Sequence, residues 1–586
     1  VTPVRSDLVV DDRASMLDGV AVSGGDGSPA DALCVAHLRL LGASRSGDGP
    51  LRVGDTWVDI DWRDGSGRRL DEVTTQGAYG LMAVHGRAAG DPARLGVDYV
   101  STVVGVVAAQ GVLAAVLAGL RGAAPTRVSV SVPGAALLAV SQYLAAGSVR
   151  DDEDTGEVTA PGVPPPFVSA DGVVFEVETL DPEPWRRWWE ALGAAPGDVA
   201  RGWRAFVLRY ATATAPIPPA LHEVTRRTPF GELCAAALAV GVAVQEVRGL
   251  AQRRCDTDPD GGFGAPWRLT ATAAADPLPA LAKGDLPLYG LRVVEAGRRI
   301  QGPLAGHVLR LLGAEVVRVE PAGGDPLRGM PPMVGDCSAR FLALNRGKRI
   351  VEVDLRSAAG RATVRDLVDT ADVFLHNWAP GKAAGFGLDS GDFTARNPGL
   401  VYAYASGWGD ARGPDAPPGT DFVAQAYTGL GEQLRPAGQP PAGSLMTLLD
   451  VLGGLICAEG VLAALVARQR EQRGQRVDTS LLSAAGVVQA PLPLRRPVWG
   501  RWDMPVPAVD GHLVVAAGTD PAAADAALGD PSALPVEQAL ERLSQAGITA
   551  VRVCPEPGDL ATDPVCADLV DVDGCAFVRP PWRFTP

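Results

Sequence analysis

Residues 76–132 and 425–481 are two copies of one segment, held at a constant offset of 349 without a gap. Gln425 falls on Gln76, Gly429-Leu430 on Gly80-Leu81, and Arg476-Val477 on Arg127-Val128. Gly460-Val461-Leu462-Ala463-Ala464 repeats Gly111-Val112-Leu113-Ala114-Ala115. Further blocks recur in the same order. Residues 38–43 return as 309–314 (271 apart), Asp171-Gly172 as Asp510-Gly511 (339 apart) and Pro266-Trp267-Arg268 as Pro581-Trp582-Arg583 (315 apart). The rise from 271 to 349 leaves the first copy short by about eighty residues near its start. Two long copies point to a domain duplication, since a solenoid needs several short units.

The copies differ where chemistry could reside. Asp450 faces Ser101 at the common offset, so one copy has a carboxylate that the other lacks. That pattern suggests a pseudo-dimer with a single working site.

A chain of 586 residues is too long for one core and should divide into domains. Hydrophobic content of 47% and charged content of 21% fit a globular protein. The net charge of −15 argues against nucleic acid or an anionic membrane as partner. It leaves room for a local basic pocket. Eight scattered cysteines without C-x-x-C spacing read as reduced thiols in the cytoplasm, not as a zinc site. No signal peptide is expected, because Arg5, Asp7, Asp11 and Asp12 interrupt any apolar run.

Residues 100–120 are apolar enough to imitate a membrane span. The matching stretch, 449–469, carries Asp450, Glu459 and Arg468, which would be costly in lipid. Both are therefore expected as buried core helices.

The second half alternates strand and helix patterns. Strands are predicted at 291–295, 315–320, 349–355, 372–377 and 400–406, with helices at 303–312 and 358–369. Such alternation predicts an α/β fold with a doubly wound parallel sheet, whose ligands bind at the carboxyl ends of the strands.

These residues also resemble a family. Gly290-Leu291-Arg292-Val293-Val294-Glu295, Gly302-Pro303, the run 312–320, Gly324-Asp325-Pro326-Leu327-Arg328-Gly329, Asn345-Arg346-Gly347-Lys348-Arg349 and 377–381 are similar, in this order, to the class III CoA-transferases (CaiB/BaiF). Arg476-Val477-Asp478-Thr479-Ser480-Leu481-Leu482 resembles the strand after that family's long helix. The likeness covers 290–482 well and 500–586 moderately, and reaches 30–270 only through the repeat.

The resemblance implies a Rossmann-like large domain and a small α/β domain per unit, here duplicated into an interlocked pseudo-dimer. On that basis residues 1–29 form an N-terminal segment. Residues 30–270 form a degenerate copy, with a small domain at about 165–255. Residues 271–286 form a linker, and 287–586 a complete copy with a large domain at about 287–490 and a small domain at about 500–575. The acidic stretch 151–154 reads as a solvated linker. The first half is expected to replace the second subunit of the family dimer and cap the working site.

The resemblance also implies CoA transfer between an acyl-CoA and a carboxylic acid. No cofactor is bound permanently; coenzyme A is part of the substrate. Asp450 matches the nucleophile that would form an aspartyl anhydride and then an aspartyl-CoA thioester. Its bland alternative is a helix N-cap. Gly453 and Gly454 would let the thioester approach. Gln301, Arg328, Lys348, Arg349, Asn377 and Gly381 match CoA-contacting positions, although the three basic residues also read as solvated surface and Asn377 as a loop-ordering residue. Lys382, His37 and His307 read as structural.

Thr420 and Asp421 should line the site. The racemase branch of the family resembles Gly-His-Asp where this chain has Gly419-Thr420-Asp421, and Thr is no acid–base group near neutral pH. Two features depart from the transferase pattern: Pro418 replaces a basic residue, and Trp499-Gly500-Arg501-Trp502 replaces a glycine-rich loop. Racemisation or lysis with Asp450 as base, and non-catalytic acyl-CoA binding, remain the alternatives.

Overall fold

The structure, a computed structural model, describes residues 16–24, 27–149, 160–256, 265–409 and 416–586. The acidic stretch 151–154 lies outside the described residues.

The second half is built on a seven-stranded sheet. In spatial order its strands are Arg349–Glu352, Glu315–Glu320, Arg292–Ala296, Val373–His376, Val401–Ser406, Arg473–Ser480 and Arg268–Ala274. The first six are parallel, and Arg268–Ala274 adds an antiparallel edge. The strand order therefore reverses between Arg292–Ala296 and Val373–His376. Alternate residues face opposite cores, as a pleated strand requires. Val293, Leu375 and Ala403 join one core with Leu304, Val308 and Leu455. Val294, Phe374 and Tyr402 join another with Val364, Val368 and Phe393. Covering both faces explains the near-continuous apolar strands.

The strand at 268–274 corrects the expected linker: residues 271–274 belong to the sheet, through backbone pairing of Ala271 with Gln475 and Ala274 with Arg473. The expected strand 349–355 ends at Glu352, and the helix expected from residue 303 begins at Gln301.

The first half carries a six-stranded sheet in the order Ser44–Gly47, Ala21–Ser23, Arg52–Val53, Thr56–Asp61, Arg127–Ser131 and Trp582–Thr585. Its last strand comes from the far end of the chain and pairs antiparallel with Arg127–Ser131. Each sheet is thus completed by a strand from the end of the other half.

Between the sheets run two long helices, Tyr99–Leu120 and Leu448–Glu471. Each contains an apolar window long enough to cross a bilayer, of which 83% and 94% respectively is buried inside the protein. They lie side by side. The Tyr99 hydroxyl donates to Leu448 O (2.8 Å), and Gln469 Nε2 donates to Leu120 O (3.4 Å). Each of these pairs joins two residues 349 apart, the self-matching contact expected on a two-fold axis. Matching glycines fit the helices to their sheets. A Cβ on Gly111 would lie 2.8 Å from the Trp582 ring, and one on Gly460 would lie 3.3 Å from the Trp267 ring.

Two small domains complete the chain. One pairs strands Phe167–Val168, Val174–Glu178 and Ala243–Glu246 under helices whose core holds Trp185, Trp188 and Trp189. The other pairs Val506–Ala508, Gly511–Val515 and Ala550–Arg552. His37 does more than fill space: its Nδ1 lies 2.9 Å from Glu459 Oε1, which gives the buried acid of the second long helix a partner from the first half.

Candidate active site

The first turn of Leu448–Glu471 is prepared by residues on the helix Asp421–Thr428 and by the turn before it. Thr447 adopts a left-handed conformation (φ 54°) and turns the chain into the helix. Asp421, fully buried in the first turn of Asp421–Thr428, accepts the Asp450 N–H at Oδ2 (2.7 Å). Gln425, one turn on, donates to Asp421 and to Ser444 O (2.9 Å) and accepts from Ser444 N–H (2.8 Å). Asp421 therefore caps the long helix. This overturns the N-cap alternative for Asp450, which lies inside the first turn and has its side chain free of that task.

The first half repeats most of the arrangement. Glu72, 349 before Asp421, accepts Ser101 N–H at 2.7 Å, and Gln76 donates to Glu72 (2.9 Å) and accepts from Leu95 N–H (3.0 Å). Ser101 Oγ also donates to Glu72 (2.7 Å), so the residue in place of Asp450 is used up internally.

Asp450 is half-buried. Among the described residues no group hydrogen-bonds to its carboxylate. Burial first, then the like charges of Asp421 and Glu178, raise its pKa well above the ordinary carboxylate value, against the attraction of Arg299. Burial likewise raises Asp421 to about 6.

The first half reaches this site directly. Glu178, the last residue of Val174–Glu178, is fully buried and accepts from Thr420 Oγ1 at 2.5 Å, from Tyr210 OH and from Arg209 Nη2 at 3.3 Å. The Tyr210 ring packs on Phe422 (centroids 4.7 Å apart), and Arg299 lies over Tyr210 at 5.1 Å. Glu178, Tyr210, Arg209 and Arg299 were invisible to sequence reasoning. The one signal for Arg299 was its loop, just after a predicted strand.

Other expected site residues fare differently. Gly453 and Gly454 are buried against Gln301: a Cβ on Gly453 would meet Gln301 Nε2 at 2.9 Å, and one on Gly454 would meet Gln301 O at 2.7 Å. Their lack of a side chain admits the helix that begins at Gln301. Gln301 is itself buried, and its Nε2 donates to Ser406 O (3.3 Å).

Lys348 is buried too. Its three N–H groups go to Glu295 (2.6 Å), Pro303 O (2.7 Å) and Asn345 (3.0 Å), and burial lowers its pKa to about 8. It has no donor left for a phosphate. Arg349 is exposed, but it starts its strand beside Glu315, at the amino end of the sheet and away from the ligand-binding edge. Arg328 is half-exposed at the carboxyl edge, with two donors on Glu320 (2.7 and 3.1 Å).

Asn377 clips the loop after Arg292–Ala296, accepting from Arg298 N–H (2.8 Å) and donating to Arg298 O (2.9 Å). Gly381 turns at φ 75° and lines a cavity of about 410 Å³ with His376, Pro380, Tyr402, Tyr404 and Arg476. Among the described residues no cluster of His, Cys, Asp and Glu could hold a metal ion.

An α/β chain with mixed parallel sheets, and an under-hydrogen-bonded carboxylate at a helix start, describe the class of protein. Residues 66–259 and 288–542 match the CoA-transferase family III, and the chain belongs to that family. It is similar to the succinate–glutarate CoA-transferase of Agrobacterium fabrum, at 35% identity over 260 residues that cover 40% of this chain and 64% of that protein. It is also similar to the acetyl-CoA:oxalate CoA-transferase of Acetobacter aceti, at 33% identity over 259 residues that cover 41% and 66%. The chain thus spans just under two thirds of the length of these curated relatives. A CaiB/BaiF family protein from Brucella suis has a similar structure, at 27% identity and TM-score 0.47, covering 51% of this chain and 93% of that one.

Proposed function

We propose that this protein transfers CoA from an acyl-CoA to a carboxylic acid in the cytoplasm, with Asp450 as nucleophile. The observation that carries this is the Asp450 carboxylate itself: half-buried, without a hydrogen-bond partner among the described residues, and relieved of capping by Asp421. A poorly solvated carboxylate is a stronger nucleophile than a hydrated one, and a partly dry site protects an anhydride from water.

In the scheme, an Asp450 oxygen attacks the thioester carbonyl, the C–S bond breaks, and CoA leaves as thiolate with the electron pair. The thiolate attacks the Asp450 acyl carbon of the anhydride and expels the donor carboxylate. The acceptor carboxylate then attacks this aspartyl-CoA thioester and again releases thiolate. Finally the thiolate attacks the acceptor's carbonyl, yielding the new acyl-CoA and free Asp450. No net proton moves. Thr420 donates a hydrogen bond to Glu178 and is itself no acid–base group near neutral pH, so racemisation through that position has no favouring observation.

The same proposal takes the chain as a duplicated transferase whose first copy, about 30–270, is inert and caps the second. What supports it is the recurrence of one hydrogen-bond set at an offset of 349, with Ser101 in the place of Asp450. The cavity at Gly381 and the half-exposed Arg328 are the proposed seats for CoA.

The test is trapping. Incubation with acetyl-CoA and hydroxylamine should convert Asp450 to a hydroxamate, read by peptide mass spectrometry. Acyl transfer without any modification of Asp450 would refute the scheme.

A further inference from the structure

The buried arginines and lysines of this chain have partners, with one exception among the described residues. Arg209 lies against Glu176 and Glu178, Arg253 against Asp256, Arg318 against Glu295, Glu320 and Asp325, and Lys348 against Glu295. Arg121 has no acid beside it but spends its guanidinium on the carbonyls of Pro279, Pro287 and Tyr289, at 2.8, 2.7 and 2.9 Å. Arg340 is the exception. It is 7% exposed, makes no ion pair among the described residues, and its Nε and Nη1 are buried without a hydrogen-bond partner.

Arg340 stands on the helix Ala339–Asn345 of the second half and meets the helix Ser141–Gly147 of the first. Its guanidinium carbon lies 5.6 Å from the centre of the Tyr143 ring. The guanidinium of Arg87 lies over the same ring, also at 5.6 Å. Glu556 is the acid of this cluster, but both of its carboxylate oxygens accept from Arg87 Nη2, at 3.0 and 2.8 Å. A contact with one aromatic ring offsets only part of the cost of drying a guanidinium. Burial lowers the Arg340 pKa to about 10, which leaves the group charged at neutral pH.

Charge and packing define what would complete the cluster. Arg87 and Glu556 cancel, so one positive charge is left over. Ala343, one turn on from Arg340, packs with Ala145 and Cys575 in a buried cluster of small side chains. Such surroundings suit an ion of a few atoms and exclude a nucleotide or a long acyl chain.

We propose that Arg340 binds one small monoanion, a halide or a carboxylate of formate size, at the junction of the two halves. The Nε and Nη1 hydrogens supply donors to it, and its charge neutralises the guanidinium where no side chain does. The ion would thereby tie the helix Ala339–Asn345 to the helix Ser141–Gly147. This inference stands whether or not the chain transfers CoA.

Thermal unfolding of the full chain tests it, with sodium chloride, bromide or formate replacing sodium gluconate at constant ionic strength. In the parent, Tm should rise by about 2 °C along a saturating curve. Arg340→Met should show no such rise. In gluconate alone it should melt no lower than the parent, because it removes an uncompensated buried charge. An equal rise in both proteins, or a rise without saturation, would be a general salt effect and would overturn the proposal. No rise in the parent would overturn it as well and leave water as the partner of the guanidinium. A stronger response to formate than to the halides would identify the occupant as a carboxylate, and the reverse as a halide. Should Arg340→Met fail to fold, crystals of the parent soaked in sodium bromide decide the matter. An anomalous peak against the Arg340 guanidinium is expected, and bromide at other positions only would refute the site.

Discussion

Thr420 Oγ1 donates a 2.5 Å hydrogen bond to Glu178 Oε2 across 242 residues of sequence. The bond brings a buried acid of the first half against the loop before Asp421 in the second. At the equivalent place in the other half stand Asp71, 349 before Thr420, and Ala517, 339 after Glu178. Those two also meet, through Ala517 N–H and Asp71 Oδ2 at 2.6 Å. The contact survives in both halves, but only one has a small-domain carboxylate.

Asp450→Asn should reduce CoA transfer by at least about 10³-fold, because an amide cannot form the anhydride. Ser101→Ala should leave the rate within about twofold, since the Ser101 hydroxyl is spent on Glu72. Steady-state rates with acetyl-CoA as donor decide both.

The acid limb of the pH–rate profile should lie well above the ordinary Asp range, because burial and Asp421 hold the Asp450 proton in place. Removing that like charge with Asp421→Asn should move the limb to lower pH. An unmoved limb would show that Asp450 is not the group titrating.

The same shift affects stability. The folded chain holds the Asp450 proton more tightly than the unfolded chain does, so ionisation opposes folding. The penalty is absent below the unfolded value, about 3.9, and complete above the raised folded value. Asp450→Asn should therefore be more stable than the parent at pH 8, and the two should converge near pH 4 in urea titrations.

Glu178→Ala leaves Arg209 buried with Glu176 as its one carboxylate among the described residues and removes the acceptor for Tyr210 and Thr420. A loss of about 3 kcal/mol is expected in chemical unfolding. Glu178→Gln, which keeps an acceptor, should lose less.

Lys348→Ala should cost about 1–3 kcal/mol of stability, since Glu295 keeps Arg318 as its charged partner while Pro303 O and Asn345 lose a donor, without raising KM for acetyl-CoA. A raised KM at unchanged stability would restore Lys348 to the CoA site. Gly454→Ala should cost about 1–3 kcal/mol, because its Cβ would press on the Gln301 carbonyl at 2.7 Å.

Several features were legible in the chain. The constant offset of 349 became matched hydrogen bonds, at Gln76 with Leu95 and at Gln425 with Ser444. Strand starts and ends followed the apolar runs to within a few residues because pleat and helix periods are local properties. Lys348 and Arg349 mark the limit. Adjacent in sequence and alike in charge, they were read alike; the fold buries one among Glu295, Pro303 and Asn345 and leaves the other in water.

The sequence by itself determined the repeat, the alternation of strand and helix, and the lone acid at residue 450, since each is written in spacing along the chain. Tertiary structure alone decided what surrounds that acid. Glu178 and Tyr210 arrive from the other half, and Arg299 from the loop where the strand order reverses. Such partners are chosen by packing across hundreds of residues, and no local pattern encodes which side chains a buried carboxylate will face.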